Sequence, residues 1–564
     1  MERFGEQTQP KPYRRSREIR LSAAARDALW ARPGYLSLAS FGAALVFLLL
    51  EPYSNFGPTG YLDPWFYTGY FTHFSYLLRH DGVTYYVSRL PWILPGWLVF
   101  RLAPPAAATV LLNALIVAAA VTALFLIVQR RYDTWAAALA CVALATNPYF
   151  VSAVSWDYPD GPAIAYALCA LACFLRPSSG RIPNAVWGGV FLALSGYTNL
   201  AGLPVLLGIA AIPIWRYKDA VRELTRQAAL AIAGGAGATA VLAIVSKLSL
   251  GTYLFFMPQI SQIIYTRTHP HYLSDMWGTG NAWIPGAYRL GAPLFLLAVG
   301  AVAVVRGRKE SALIESYVCL AVSSVLFIFF EFGLHNTGLR VAYQSSYIVA
   351  PMFAFAGLLL GEYAPRSPAG RVALLLLGLA LPFVWLQWPL TPKPEMFWPA
   401  MALLALCAAA LWKRPAACGL IFIALFCGPA FDPSLSYIWK HLNACAFQTM
   451  MQMESAIDAR LAPARSVRFW FEPHRPASNL FDSVSSLYLW PHVDADLGVL
   501  AESATTLVHL SLNPDRSAEH DKLLAARGLR VENERRSTVS SSLGTVYVVL
   551  QDVAATPAAP DRTR

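Results

Sequence analysis

Apolar runs of about 20 residues, each long enough to cross a membrane as a helix, recur along most of this chain. The composition agrees with them: of 564 residues, 56% are hydrophobic and only 14% are charged, and the mean hydropathy is +0.45. A soluble globular protein carries about 25% charged residues, so this chain cannot cover a water-facing surface of its size. High hydrophobicity also excludes a disordered chain. The sequence therefore predicts an all-α polytopic membrane protein.

The basic residues between the apolar runs predict how the spans are oriented. Arginine and lysine in short loops mark the cytoplasmic side, and these loops account for a net charge of +11 without a nucleic-acid partner. Residues 1–32 are polar and basic and lack a removable signal peptide, so we expect a cytoplasmic tail. Every short basic loop then lies inside if about thirteen helices span the bilayer. These are Gly34–Leu50, Ala106–Val128, Trp135–Val154, Ala163–Leu175, Asn184–Tyr197, Ala201–Trp215, Ala228–Val245, Leu290–Val305, Ala312–Phe332, Tyr343–Leu360, Val372–Leu390, Pro399–Leu411 and Cys418–Phe431.

One segment, Tyr85–Leu102, decides the side on which every later loop lies. It contains Arg89, a second arginine and two prolines, and its longest uncharged run, Leu90–Phe100, is about half as long as a spanning helix. An arginine near the bilayer centre costs at least a few kcal/mol. We therefore predict an interfacial helix on the outer face. Residues 51–105 then form one large outer loop, with a second interfacial helix at Trp65–Leu78.

An odd number of crossings places the C-terminus outside, where the composition becomes that of a small soluble α/β domain. The elements predicted there are strands Ser466–Phe471, Thr505–Leu512 and Thr545–Leu550 and helices Tyr437–Leu461 and Ala518–Arg527. The predicted organisation is therefore a cytoplasmic tail (1–32), a transmembrane domain (33–431), a periplasmic α/β domain (432–553) and a disordered tail (554–564).

The large outer loop holds a carboxylate in an aromatic run. From Gly60 to Tyr70 the chain reads Gly-Tyr-Leu-Asp-Pro-Trp-Phe-Tyr-Thr-Gly-Tyr, so Asp63 precedes a proline at the start of a helix that carries Tyr67. A residue before proline is biased toward an extended or turn conformation. Asp63 is either an ordinary helix N-cap or a carboxylate presented at the membrane surface.

A second outer loop adds two acids. Residues 155–161 read Ser-Trp-Asp-Tyr-Pro-Asp-Gly and directly precede a span. Asp160 can cap that helix, whereas Asp157 has no such structural role. The two outer loops could meet at one pocket beside the membrane.

These features resemble the GT-C class of integral-membrane glycosyltransferases. The shared features are an outer-loop aspartate in an aromatic run, a proline-rich interfacial helix, the double arginine Arg130-Arg131 and a second aspartate after the third span. The nearest pattern is the bacterial family 39 type, which includes protein O-mannosyltransferases and lipid A aminoarabinose transferases. The likeness covers the N-terminal third of the chain, the number of spans and the outer C-terminal domain.

The resemblance implies an enzyme of the inner membrane that moves a sugar from a polyprenyl-phosphate donor to a hydroxyl on a lipid, glycan or protein. By position, Asp63 corresponds to the catalytic acid of the family's first loop, although the family usually has Asp-Glu where this chain has Asp-Pro. Asp157 or Asp160 corresponds to the acid of the second loop. A later run, Gly338-Leu-Arg-Val-Ala-Tyr, is similar to the helix entry near the lipid phosphate, with Arg340 and Tyr343 as binding residues.

Elementary chemistry gives these residues their roles. The attacking hydroxyl must lose a proton, which a positioned carboxylate can accept, and Asp63 is the predicted base. The leaving phosphate gains negative charge that fixed cations stabilise, and Arg340 and Arg89 are the predicted cations, with Tyr67 beside them.

A metal is neither required nor excluded by the sequence. His269 and His271 flank a proline in a long outer loop and could bind the substrate or a divalent cation. Asp63 and Asp157 would offer such a cation oxygen ligands.

Two other classes of function stay open. A secondary transporter or flippase needs ionisable residues near the middle of its spans, whereas Glu315 and Glu331 lie toward the two ends of one predicted helix. A non-catalytic subunit of envelope-polysaccharide assembly would use the C-terminal domain to bind a partner. The substitution Asp63→Asn should abolish glycosyl transfer but leave transport or assembly almost unchanged.

Overall fold

A computed structural model describes most of the apolar part of the chain and a smaller part of its C-terminal region. The described residues are 41–42, 62–155, 158–176, 183–269, 288–305, 311–333, 346–363, 365, 367–387, 396–411, 414–432, 452, 455–457, 459–460, 466–469, 505–511, 522, 524–526, 528–541 and 544–556.

The described part is mostly helical. Its α-helices, numbered in chain order, are α1 (Leu62–Asp81), α2 (Leu90–Leu102), α3 (Pro105–Gln129), α4 (Thr134–Ala145), α5 (Pro148–Val154), α6 (Asp160–Phe174), α7 (Asn184–Thr198), α8 (Leu203–Arg216), α9 (Val221–Leu250), α10 (Met257–Thr268), α11 (Tyr288–Val305), α12 (Ser311–Ile328), α13 (Val349–Tyr363), α14 (Pro368–Gln387), α15 (Phe397–Leu411) and α16 (Arg414–Phe431).

Each predicted span from Ala106 onward coincides with one or two of these helices, whereas Gly34–Leu50 lies almost wholly outside the described residues. By length and composition, the described helices that can cross a membrane are Ala107–Gln129, Val221–Leu250, Ser311–Glu331 and Ser346–Tyr363, with α4 and α5 together as a further broken span. The chain therefore has several membrane-spanning helices, and the count of about thirteen stays a prediction.

The prediction of one continuous helix over Trp135–Val154 is wrong. The chain breaks between α4 and α5, which are bent by 64°. Pro148 lacks a backbone N–H and disfavours helical geometry at Asn147, so the helix ends before it. The Asn147 side chain caps the break: its Oδ1 accepts from Tyr149 N at 3.1 Å, and its Nδ2 donates to Leu425 O at 3.1 Å.

Helix α2 has the length expected of an interfacial helix. Its 13 residues extend about 20 Å at 1.5 Å per residue, less than the hydrocarbon core of about 30 Å. It packs against α1, α3 and α7 with Trp92 and Ile93 buried, while Trp97 and Leu98 are exposed. A Cβ on Gly96 would lie 2.2 Å from the Phe71 ring, so only glycine allows this close approach to α1.

Ion pairs between distant helices join segments that were predicted on the same side of the membrane. Two pairs join segments that are predicted to lie inside, Arg371–Asp133 (2.7 Å) and Arg216–Glu315 (2.7 Å). The third pair, Arg289–Asp432 (2.8 Å), joins segments that are predicted to lie outside. A side-chain contact cannot connect opposite faces of a bilayer about 30 Å thick. The contacts therefore support the predicted alternation of spans, and which face is periplasmic stays a prediction.

Small residues let α7 and α9 approach each other closely. A Cβ on Gly234 would lie 2.0 Å from Val186 O, and one on Gly189 would lie 1.8 Å from Ala231 O. Glycine at such positions is typical of helix contacts in membranes. This packing, together with contacts between α7 and α6, fixes the C-terminal end of α7 beside the start of α6.

The C-terminal region contains a four-stranded sheet of order β1-β2-β4-β3, with β1 and β2 parallel and the other pairs antiparallel. Its strands are β1 (Ser466–Phe469), β2 (Thr505–Ser511), β3 (Leu529–Ser541) and β4 (Gly544–Ala555).

The small C-terminal sheet is confirmed, but one of its strands was missed. Strand β3 lies at the edge of the sheet and reads Leu-Arg-Val-Glu-Asn-Glu-Arg-Arg-Ser-Thr-Val-Ser-Ser. Charged residues suit an exposed edge, and they hide the apolar alternation by which strands are recognised. Strand β4 continues to Ala555, beyond the predicted domain end, and the predicted helices lie mostly outside the described residues.

Candidate active site

A positively charged side chain stands in the turn between α1 and α2. The Arg89 guanidinium carbon lies 5.5 Å from the ring centroid of Tyr67 and 5.3 Å from that of Tyr85, and Nη1 donates a hydrogen bond to Tyr67 Oη. Stacking on aromatic rings holds a guanidinium plane in a fixed orientation. Nε of Arg89 has no hydrogen-bond partner among the described residues, so it can donate to a ligand.

The surroundings keep Arg89 charged. Burial opposes the charge, but neighbouring phenol groups and the carboxylate of Asp160 outweigh it and raise the pKa of Arg89 above its ordinary value. The phenols belong to Tyr67, Tyr85 and Tyr158. Arg89 is therefore a permanent cation held in an aromatic environment.

Asp160 is a fully buried carboxylate in the first turn of α6. Its Oδ1 accepts a hydrogen bond from Asn199 Nδ2 at 2.8 Å and another from Tyr347 Oη. Its Oδ2 has no hydrogen-bond partner in the described part of the chain. The interpretation of Asp160 as an N-cap is therefore wrong: Pro159 occupies the cap position and no side chain caps the helix.

Two short 3-10 helices bring the partners of Asp160 into place. Asn199 precedes the first, Leu200–Gly202, and its Oδ1 accepts from Ala201 N at 3.1 Å, which turns Nδ2 toward Asp160. Tyr347 lies in the second, at the entry to α13, with its ring against Gly202. Both therefore reach Asp160 from the ends of spans.

Tyr158, two residues before Asp160, packs on Tyr67, which accepts the hydrogen bond from Arg89. Their rings meet edge to face with centroids 5.7 Å apart. We call the set Tyr67, Arg89, Tyr158, Asp160, Asn199 and Tyr347 the polar cluster. It offers one fixed cation and one unpartnered carboxylate oxygen on the side predicted to face outward, which suits a ligand with a phosphate and hydroxyl groups.

The predicted site residues are only partly described. Tyr67, Arg89 and Asp160 belong to the polar cluster. Asp157, Arg340 and Tyr343 lie outside the described residues.

Asp63 lies in the first turn of α1, and not in an extended segment before it, because a proline near the helix start is tolerated. Its side chain lies outside the described part.

His269 lies away from these contacts, at the exposed end of α10. Its Nδ1 lies 3.0 Å from Thr268 Oγ1 and 3.1 Å from Tyr265 O, and its ring stacks on Tyr265. No group of three or more His, Cys, Asp or Glu side chains that could hold a metal ion occurs among the described residues.

Sequence reasoning missed Asn199, Tyr347 and Tyr158 as members of this cluster. The signal for Asn199 is a polar residue in the short break between two apolar runs. Tyr347 is four residues beyond the predicted Tyr343, at the start of the same span. Both signals identify a residue at a helix end, but neither identifies Asp160 as its partner.

By sequence, the chain matches no protein-family model and no curated protein. By structure, it is similar to the crystal structure of ArnT from Cupriavidus metallidurans bound to undecaprenyl phosphate, with a TM-score of 0.52 and 14% identity over 94% of this chain and 98% of that chain. The apo crystal structure of the same ArnT gives a TM-score of 0.48 and 13% identity over 92% and 98%. The fold is that of the GT-C class, as the sequence resemblance predicts.

Proposed function

We propose that this chain is a membrane glycosyltransferase that moves a sugar from a polyprenyl-phosphate donor to an acceptor hydroxyl at the periplasmic face of the inner membrane. The observation that carries the proposal is the polar cluster, in which a fixed cation and a half-free carboxylate meet at outer helix ends. The fold supports it, because a protein of the same fold is described in complex with undecaprenyl phosphate.

Arg89 supplies the chemistry that a lipid-phosphate donor requires. When the bond between the anomeric carbon and the phosphate oxygen breaks, the polyprenyl phosphate leaves with additional negative charge. A cation that is already oriented stabilises that charge without reorganisation. The unpartnered Nε of Arg89 is the donor for this contact.

The acceptor hydroxyl forms the new glycosidic bond. Its hydroxyl oxygen attacks the anomeric carbon, its proton passes to a carboxylate, and the phosphate departs from the other side of the sugar. Asp63 is our proposed base. We assign Asp160 Oδ2 to a hydroxyl of the bound sugar, because Oδ1 is occupied by its two protein partners.

The rival functions gain less support from the described residues. A transporter needs free charges along its pathway, but Glu315 is paired with Arg216 at 2.7 Å near the inner end of α12. A non-catalytic assembly subunit has no need of a half-satisfied buried carboxylate beside a fixed cation, which is costly to maintain.

A complementation experiment tests the proposal. A strain that lacks the gene receives the wild type, Asp63→Asn or the control Asp219→Asn, whose carboxylate is exposed in the loop between α8 and α9. Mass spectrometry of the envelope glycans should show a sugar that the wild type and Asp219→Asn restore and Asp63→Asn does not. Full restoration by Asp63→Asn at equal protein level would refute the assignment of the base.

A further inference from the structure

Helix α10 returns from the outer end of α9 across the end of α7. Gly251 ends α9 with a left-handed backbone (φ 75°), and Ser246 Oγ donates to Thr252 O at 2.6 Å within this turn. Phe255, which is fully buried, then packs on Tyr197 with ring centroids 4.9 Å apart. The start of α10 is thereby placed beside the polar cluster.

One polar side chain of α10 turns inward at this contact. Gln259 is only 4% exposed, and its Nε2 donates to Tyr197 O at 3.0 Å and lies 3.5 Å from Ser88 O. Ser88 directly precedes Arg89, and Tyr197 stands two residues before Asn199. The side-chain amide of Gln259 therefore contacts the backbone next to Arg89 and the backbone that leads to Asn199, which donates to Asp160.

The chemistry of this contact explains why a glutamine suits the position. Tyr197 O is one of the last four carbonyls of α7, which have no partner within the helix. Buried carbonyls require a hydrogen bond, and a primary amide brings two N–H donors to one point. Gln259 can thus serve two carbonyls from separate elements at once.

The opposite face of α10 is apolar and exposed, with Met257 and Ile264 at the surface. Gln259 instead points inward to Ser88 and Tyr197. A substitution at Gln259 therefore acts first on the backbones of these two residues.

We propose that Gln259 is a positioning residue: it sets the spacing between Arg89 and the Asp160–Asn199 pair and so supports binding of the donor's phosphate. This inference rests on the proposed function. Gln259 itself touches neither Arg89 nor Asp160 in the structure, and it acts through Ser88 and Tyr197.

The test compares Gln259→Leu with Gln262→Leu, the same change three residues further along α10 at a half-buried position. The full chain is placed in nanodiscs of phosphatidylethanolamine and phosphatidylglycerol. Hydrogen exchange is measured for peptides that cover 84–93 and 197–202, and undecaprenyl phosphate is titrated as the probe.

We expect faster exchange in both peptides and about fivefold weaker binding for Gln259→Leu, which corresponds to one lost hydrogen bond. Gln262→Leu should match the wild type. Gln259→Asn, which keeps the neutral amide donors on a shorter side chain, should recover part of the affinity.

The outcomes separate the two proposals. Unchanged exchange for Gln259→Leu overturns the bridging role, and faster exchange with unchanged affinity overturns the positioning role. If the wild type binds no undecaprenyl phosphate while Gln259→Leu still speeds exchange, the bridge stands and the proposed function fails.

Discussion

Asn199 donates a hydrogen bond of 2.8 Å to Oδ1 of Asp160, although 39 residues separate them in the chain. The contact joins the end of one helix to the start of another and holds a buried carboxylate with a neutral amide. Tyr347 adds a second neutral donor to the same oxygen. No cation donates a hydrogen bond to Asp160 within the described residues, so Asp160 acts on Arg89 through space, as one of the groups that raise the pKa of Arg89.

The first prediction concerns the charge of Asp160. Asp160→Asn keeps an oxygen for Asn199 and Tyr347 but removes the negative charge and replaces one oxygen by an N–H donor. We expect sugar transfer to fall by about tenfold to a hundredfold, because a hydrogen bond to a charged acceptor is lost, with little change in thermal unfolding. Transfer rates of the purified protein measure this effect, and Asp219→Asn is the matched control. A rate within a few-fold of the wild type would remove Asp160 from the site.

The second prediction separates charge from geometry at Arg89. Arg89→Gln should weaken binding of undecaprenyl phosphate by at least about tenfold, since a charge-assisted contact is lost. The affinity of Arg89→Lys should lie between those of the wild type and Arg89→Gln, because a lysine keeps the charge but not the planar guanidinium group. Isothermal titration in nanodiscs measures the affinities. Arg101→Gln, an exposed arginine at the other end of α2, should bind like the wild type, and equal losses at both arginines would indicate a nonspecific charge effect.

The third prediction concerns stability. Arg289 and Asp432 form an ion pair of 2.8 Å with side chains only 3% and 2% exposed. Removing the charge of Asp432 leaves Arg289 buried without its ion-pair partner, so Asp432→Asn should lower the free energy of unfolding by about 3–5 kcal/mol. Arg289→Met combined with Asp432→Leu should recover much of that loss. Thermal unfolding followed by tryptophan fluorescence measures both.

The exposed pair of Arg226 with Glu223 on α9 provides the control for this comparison. Arg226→Gln should leave the stability almost unchanged, because solvent screens such a pair. If Asp432→Asn is no more harmful than Arg226→Gln, the buried pair has no structural role.

The fourth prediction concerns topology. A reporter fused after Arg131 should behave as cytoplasmic, and one fused after Leu550 as periplasmic. Alkaline phosphatase and green fluorescent protein, whose activities depend on the compartment, provide the measurement. Reversed signals at both positions would invert the loop assignment and move the polar cluster to the cytoplasmic side.

The helices were predictable because a span in lipid must be apolar along its whole length, so its signal is strong and local. The same reasoning predicted that α2 is too short to span, and the structure shows a helix of 13 residues there. Its position at the outer face stays a prediction. The break at Asn147-Pro148 was missed, although proline without an N–H and the restricted residue before it form a readable signal. Strand β3 was missed because its charged residues suit an edge and mask its alternation.

The site was harder to predict than the fold. Arg89 and Tyr67 were identified from their loop, but the role of Asp160 depends on Asn199 and Tyr347, which approach it from other helices. An aspartate that caps a helix and a buried aspartate held by distant partners look the same in the local sequence, because both stand at a helix start. Only the packing of α6, α7 and the entry to α13 distinguishes them.

The central claim is that this chain breaks the bond between a sugar and a polyprenyl phosphate. The most direct measurement incubates the purified protein in nanodiscs with lipid-linked sugars and acceptor fractions extracted from its own host, and quantifies free undecaprenyl phosphate by mass spectrometry. We predict that the wild type releases undecaprenyl phosphate together with a glycosylated acceptor and that Asp63→Asn releases neither. No release by the wild type, or equal release by Asp63→Asn, would contradict the account.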